Sequence, residues 1–494
     1  MSERSFFAKL SSDTVKYALG SALNGLVAFL LIPLYTRALS AAEVGVYVLL
    51  EGFLLFVGMA LNLGLQYAYL ERYTHCDNNR ERSQLFSTTV IAWLGLGAFL
   101  SWSAVALGLD GLSRLMLGNA VYVDLVRITL AIIFVEMFTN IIDSFLRAAR
   151  RPWELSGLNL LAALLQIALS LYFVLNMGMG VAGVLLARLV ARVVEWVVFL
   201  FLHPDQVKLL FSWPTLRALL RYGVPLVPGN LLSLVLLLSG RYLVGWLGSL
   251  EASAYFTIIS KIAGMLSFLL VQPVNAAWGA LAFENATFDS QDQRFSQAIL
   301  TFFYMGAVMA VGMTCIGPEL IHVFSTDEYL AALSALPVIL LAYVFLALNF
   351  PCATGLYLSR KTGWISVIYA LASIVCVGLS VVLIPRMGVV GAAISLLASQ
   401  VFLDAAAIVL SRRFYPMNSN WKRIVLIALV MSPSWWMGVL WQPDAFEWRG
   451  LLTRLLVGVV SLLAGLAVWL FSFSAQQRIQ MRQAILARVP FLMR

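Results

Sequence analysis

Arg188, Arg192 and Glu195 follow one another at steps of four and three residues within a run that is otherwise apolar. On a helix this spacing puts all three charges on one stripe. Other polar stripes recur along the chain. They are Glu51, Gly58, Asn62 and Gln66; Glu136, Asn140, Asp143 and Arg147; Asn230, Ser233 and Arg241; and Lys261, Gln272 and Asn275. Asp404 stands alone in its run. A Lys, Arg or Asp at the centre of a membrane helix costs about 2.5–3.5 kcal/mol on insertion scales, so it must face a wet cavity or a partner. Planar guanidinium donors match phosphate oxygens, and a lysine adds a mobile point charge. Arg188, Arg192, Arg241 and Lys261 therefore predict a cationic cavity for an anionic, phosphate-like group. The other reading is intramembrane ion pairing, Arg192 with Glu195 on one helix or Arg188 with Glu136 across helices. The acids Glu51, Glu136 and Asp143 either neutralise nearby bases or titrate and carry a coupling ion, a proton or sodium.

The elements that hold these residues are apolar runs. Of the 494 residues, 61% are hydrophobic and 12% charged, against about 25% charged in soluble domains. A bilayer core of about 30 Å needs roughly 20 apolar residues in helical form. Fourteen runs meet that length, near 14–35, 44–68, 85–108, 125–147, 154–176, 180–203, 223–247, 254–281, 296–318, 332–358, 363–385, 389–411, 421–441 and 451–473. They are too long for barrel strands, and only helices otherwise satisfy their own backbone in lipid. The expected fold class is an all-α integral membrane protein. Lys16 and Arg37 fall at the two ends of the first run, where they can serve uptake and release of a charged group.

Loop charges orient the chain. Of 33 Lys and Arg, 23 fall on one face of the alternation, 4 on the other and 6 inside spans. Positive residues favour the cytoplasmic side, so both termini are expected there. The net charge of +9 reports this topology and not nucleic-acid binding. No loop of the other face exceeds about 16 residues, and no GxxxxGK phosphate loop or soluble catalytic module is present. The spacing of Cys76, Cys315, Cys352 and Cys376, and of His75, His203 and His322, fits no metal or redox pattern. No cofactor is expected.

An internal repeat divides the runs. Lys16-Tyr17, Gly20, Ser21 and Asn24 are echoed by Arg221-Tyr222, Gly229, Asn230 and Ser233, and Glu43-x-x-x-Tyr47 by Glu251-x-x-x-Tyr255. Duplicated lobes around a central site are a common transporter plan. The expected organisation is a cytoplasmic N-terminus (1–13), a six-helix lobe (14–203), a linker (204–222) and a second six-helix lobe (223–411). Two added helices (412–473) and a basic cytoplasmic tail (474–494) follow.

Three segments carry a family likeness. Ile32-Pro-Leu-Tyr-Thr-Arg-Ala-Leu-Ser40, running on to Glu43-Val-Gly-Val-Tyr47, resembles the opening of bacterial polysaccharide flippases of the O-antigen and exopolysaccharide type. Arg221-Tyr-Gly-Val-Pro-Leu-Val-Pro228 is similar to the start of their seventh helix. Gly317-Pro-Glu-Leu-Ile321 with Glu328-Tyr-Leu-Ala-Ala332 is similar to their segment between helices 9 and 10. Many members stop at twelve helices; the extra pair here resembles the fourteen-helix peptidoglycan-precursor flippases of the same superfamily. The resemblance implies a cargo of undecaprenyl-pyrophosphate-linked oligosaccharide, flipped across the bacterial inner membrane by alternating access. It implies partners in membrane lipids and in a polysaccharide polymerase with its chain-length machinery. No covalent chemistry is implied. Arg188, Arg192, Arg241 and Lys261 would then hold the pyrophosphate and first sugars. The alternative is a proton- or sodium-coupled multidrug exporter of that superfamily.

Overall fold

The computed structural model describes residues 31–471 apart from 74, 77, 150, 205–209, 272, 273, 276, 277, 279–290, 360, 362, 415–420 and 441–447. It is all-α, with no strand among the described residues. Lys16, the first half of the leading repeat and the basic tail lie outside the described residues.

The chain forms two compact units, residues 1–257 and 258–494. The first begins with helical residues 31–38 (α1). It continues with α2 (Ala41–Asn62), α3 (Leu65–Tyr73), α4 (Asn79–Leu107) and α5 (Leu109–Leu117). Then come α6 (Val123–Ala148), α7 (Pro152–Leu171), α8 (Gly180–Leu202), α9 (Trp213–Gly223) and α10 (Val227–Leu247), with α11 (Leu250–Leu266) running across the boundary. The second unit holds α12 (Gln291–Cys315), α13 (Gly317–Phe324), α14 (Leu336–Leu358), α15 (Gly363–Phe414), α16 (Trp421–Leu440) and α17 (Trp448–Phe471). Among the described residues, 10 helical segments are long and apolar enough to cross a membrane. The long α15 covers two predicted spans, 363–385 and 389–411, with the backbone breaking at Gly388 (φ 55°, ψ −130°). The α8 helix holds the three charges of the Arg188 stripe and still runs unbroken over its predicted span. Large apolar side chains point outward, as with Trp102 at 69% and Phe201 at 82% exposure. In a bilayer these are the lipid-facing groups.

Two local features explain the repeated motif. Ser40 caps α2: its hydroxyl accepts the Glu43 backbone N–H at 3.3 Å, while the Ser40 N–H donates to Glu43 at 2.9 Å. This reciprocal capping box satisfies two helix-end donors at once. The second copy, Glu251, also lies in the first turn of its helix, where the Ser249 hydroxyl accepts the Ala252 N–H at 3.1 Å. Gly45, inside the first motif, lies against the Leu250 carbonyl so closely that a Cβ would overlap it.

The predicted span 44–68 is not one helix. Leu63 (φ 50°) and Gly64 (φ 69°) turn left-handed and separate α2 from α3. Gly223, at the end of α9, packs backbone to backbone on this break, where a side chain on either glycine would clash. A glycine pair permits that approach because neither residue carries a Cβ.

Candidate functional site

The polar stripes of the first unit converge because α2 packs against α6, α8 and α10, and α6 packs against α8. Each sequence-predicted arginine there meets an acid. Arg188 Nε donates to Glu136 Oε1 at 2.7 Å, from α8 to α6. Arg192 Nη1 donates to Glu195 Oε2 at 2.7 Å along α8, and its Nε lies 3.7 Å from Glu136 Oε1. Arg241 Nη1, on α10, lies 3.7 Å from Glu51 Oε2 on α2. The Tyr242 hydroxyl donates to the Leu49 carbonyl at 2.7 Å and holds the same helix pair together. Tyr47 and Glu51 are also electrostatic neighbours of Arg188, which links the pairs into one cluster. Asp143, one turn along from Asn140 on α6, pairs with Arg147 at 3.6 Å and accepts from Asn159 at 3.4 Å.

Three arginines are thus matched by Glu51, Glu136 and Glu195. Among the described residues the cluster is charge-balanced, where the spacing alone suggested a surplus of positive charge. Both ion pairs that the sequence offered as the other reading are formed. The match is incomplete at the level of single donors. Among the described residues, Arg192 Nε and Arg241 Nη1 are buried and find no hydrogen-bond acceptor, and Glu195 Oε1 finds no donor. Buried polar groups are ordinarily paired, so such atoms mark either an unfilled function or ordered water.

A cavity of about 200 Å³ opens beside this cluster. Its polar lining is Asn62, Gln66, Tyr67, Glu136, Asn140 and Asn230, and Gly64 of the glycine contact forms part of its wall. At about 10–15 Å³ per water centre it has room for on the order of ten waters. Asn62, Gln66, Asn140 and Asn230 were all members of the predicted stripes. Tyr67 and the apolar lining Leu54, Met59 and Met137 carried no signal that separated them from ordinary packing. Arg37 is exposed at the end of α1, and Lys261 is half-buried on α11 in the second unit.

The second unit contributes a tie of its own. Arg454 of α17, 2% exposed, donates to Glu319 of α13 at 2.6 Å. Glu319 is the acid of the Gly317–Ile321 motif, so that motif is fastened to the C-terminal helix pair. Spacing gave no hint of this contact, because 135 residues separate the partners.

The family model described as "Polysaccharide biosynthesis protein" matches residues 11–278, more than half of the chain. The chain belongs to this family. The match covers every helix that builds the paired-arginine cluster and its cavity. The inward closed conformation of the lipid II flippase MurJ aligns with a TM-score of 0.68 at 13% identity, over 92% of this chain and 98% of that one. The inward-facing conformation of a multidrug resistance MATE family transporter of the MOP superfamily aligns at 0.64 with 18% identity, over 80% and 94%. A MOP superfamily transporter from Pyrococcus furiosus aligns at 0.54 with 18% identity, over 81% and 93%. At these identities the likeness establishes the fold. Among curated proteins no sequence match was found. The family member described here is a multi-pass membrane protein with the fold of these flippases and transporters.

Proposed function

We propose that the chain is a flippase that moves an undecaprenyl-pyrophosphate-linked oligosaccharide from the cytoplasmic to the outer leaflet of the bacterial inner membrane. Both termini are cytoplasmic in this reading, and nothing covalent happens to the cargo. The observation that carries it is the Arg188–Glu136–Arg192–Glu195 cluster beside an amide-lined cavity in a polysaccharide-biosynthesis family member. A buried arginine cannot lose its carboxylate without a large penalty, but a diphosphate supplies equivalent acceptors. The headgroup enters the cavity, takes up the free donors of Arg192 and Arg241, and displaces Glu136 from Arg188. Asn62, Gln66, Asn140 and Asn230 accept and donate hydrogen bonds to the first sugars. On release the glutamates return. Balanced pairs hold the empty site stable in lipid, and exchange keeps binding weak enough for departure. Lobes that rock about the site in alternating access complete the cycle, with the polyprenyl tail left in lipid. The glycan polymerase and chain-length machinery would take the product.

A second reading rests on one observation. Among the described lining residues, the charged one facing the cavity is Glu136. A carboxylate beside amides and Tyr67 also suits an organic cation, as in a proton- or sodium-coupled exporter. The two readings separate in cells. Arg188→Ala, Arg192→Ala and Arg241→Ala should each stop surface-glycan export at normal protein level, with lipid-linked oligosaccharide accumulating on the inner face. Intact export in all three, together with drug sensitivity on deletion in an efflux-deficient strain, would favour the exporter.

A further inference from the structure

Arg147, Arg151, Arg188, Arg192 and Arg241 of the first unit each face a carboxylate. Among the described residues Arg217 and Arg221 do not. Both are exposed on α9, a helix with no acid in its sequence. They stand four residues apart, so they share one face at about 6 Å along the axis. The opposite face is committed: Leu216, Leu219 and Gly223 are buried, and α9 packs on α3 and α4. Trp213 and Tyr222, 64% and 48% exposed, bracket the two arginines.

The helix is held at both ends. The Thr88 hydroxyl of α4 donates to the Leu210 carbonyl at 3.3 Å and accepts the Ser212 N–H at 3.1 Å. Ser212 in turn caps α9, its hydroxyl accepting the Thr215 N–H at 3.4 Å. At the other end Gly223 packs on Gly64, which lines the cavity beside the arginine cluster.

We propose that the exposed face of α9 binds the phosphate of an anionic phospholipid, and that the bound lipid braces the wall of the first unit's cavity. Depth comes from the continuation of the chain. One tight turn, Val224–Leu226, leads from α9 into α10. The 21 residues of α10 span about 31 Å, the whole hydrocarbon core, which leaves α9 in the headgroup layer. Trp and Tyr rings settle at that level, and arginine stems lie along apolar surface while their heads stay wet. This favours a lipid over a soluble anion or an acidic protein. Two guanidinium forks suit a phosphodiester with no ammonium group of its own. In the topology proposed above the leaflet is the cytoplasmic one, whose anionic lipids attract basic residues. Bracing follows from the Gly223–Gly64 contact, since α9 cannot lift from the headgroups without pulling on that wall. The inference rests on that topology and is independent of the cargo.

The test uses the purified full chain. Native mass spectrometry counts phosphatidylglycerol and phosphatidylcholine retained from an equimolar mixture. The expected result is a preference for phosphatidylglycerol that drops about fivefold for each of Arg217→Gln and Arg221→Gln. Inorganic phosphate at the same concentration should not displace the lipid. In nanodiscs, hydrogen exchange at residues 63–68 should be slower with phosphatidylglycerol than with phosphatidylcholine, and the difference should vanish when both arginines are replaced by Gln. Equal retention of the two lipids, a preference untouched by both substitutions, or displacement by inorganic phosphate would overturn the site. Exchange at residues 63–68 that ignores the lipid in the wild type would overturn the bracing.

Discussion

Arg188 Nε and Glu136 Oε1 meet at 2.7 Å across α8 and α6, and Arg192 shares the same carboxylate oxygen at 3.7 Å. One acid that lines the cavity therefore holds two bases. Losing either side leaves an unmatched charge at partly buried positions. Arg188→Ala and Glu136→Ala should each lower the thermal stability of the purified protein, and the double variant should lose less than the sum. A coupling of about 0.5–3 kcal/mol is expected for groups in direct contact. Strict additivity in a thermal-melt cycle would mean that the contact is not formed.

Glu319 and Arg454 give an asymmetric prediction. Arg454 is almost wholly enclosed, while the Glu319 side chain keeps 21% exposure. Glu319→Ala strands a charge inside protein, at a cost of about 3–5 kcal/mol. Arg454→Ala leaves an acid that water can reach and should cost less. Melting temperatures of the two variants in detergent should rank in that order, and the reverse ranking would show that Glu319 is not the acid that balances Arg454.

Gly64 and Gly223 touch through their backbones at the break between α2 and α3. Ala at Gly223 would force the two segments apart, as over-packing does elsewhere, at about 1–3 kcal/mol. Because Gly64 also lines the cavity, Gly223→Ala should weaken transport at temperatures where the protein remains folded. A variant with wild-type melting and wild-type transport would contradict the close approach.

Ser40→Ala removes one half of the capping box on α2 and should cost about 1 kcal/mol, with Ser40→Gly nearer neutral. Thermal melts check this. Equal losses for the two variants would show that the cap hydrogen bond contributes nothing.

The spans were legible because lipid imposes one rule on every residue of a helix, and hydropathy reports it directly. The stripes were legible for a related reason: charges such as Arg188 and Glu136 are too costly in hydrocarbon to be placed at random. Their partners were only half legible. Arg192 and Glu195 lie on one helix, where spacing decides contact. The Arg241–Glu51 pair depends on how α2 and α10 pack, which periodicity does not encode. The break at Leu63 and Gly64 was hidden because apolar residues continue through it. Glu319 was visible within a motif, but its partner Arg454 was not.

The central claim is that the paired arginines exchange their glutamates for the phosphates of a lipid-linked sugar. Its most direct test is reconstitution of the purified chain in vesicles with a defined undecaprenyl-pyrophosphate oligosaccharide, following headgroup arrival at the opposite leaflet by its accessibility to a membrane-impermeant reagent. The account predicts translocation by the wild type, blocked by excess inorganic pyrophosphate and lost in folded Arg192→Ala and Arg241→Ala. Undiminished translocation by both variants, or none by the wild type beside brisk transport of an organic cation, would contradict it.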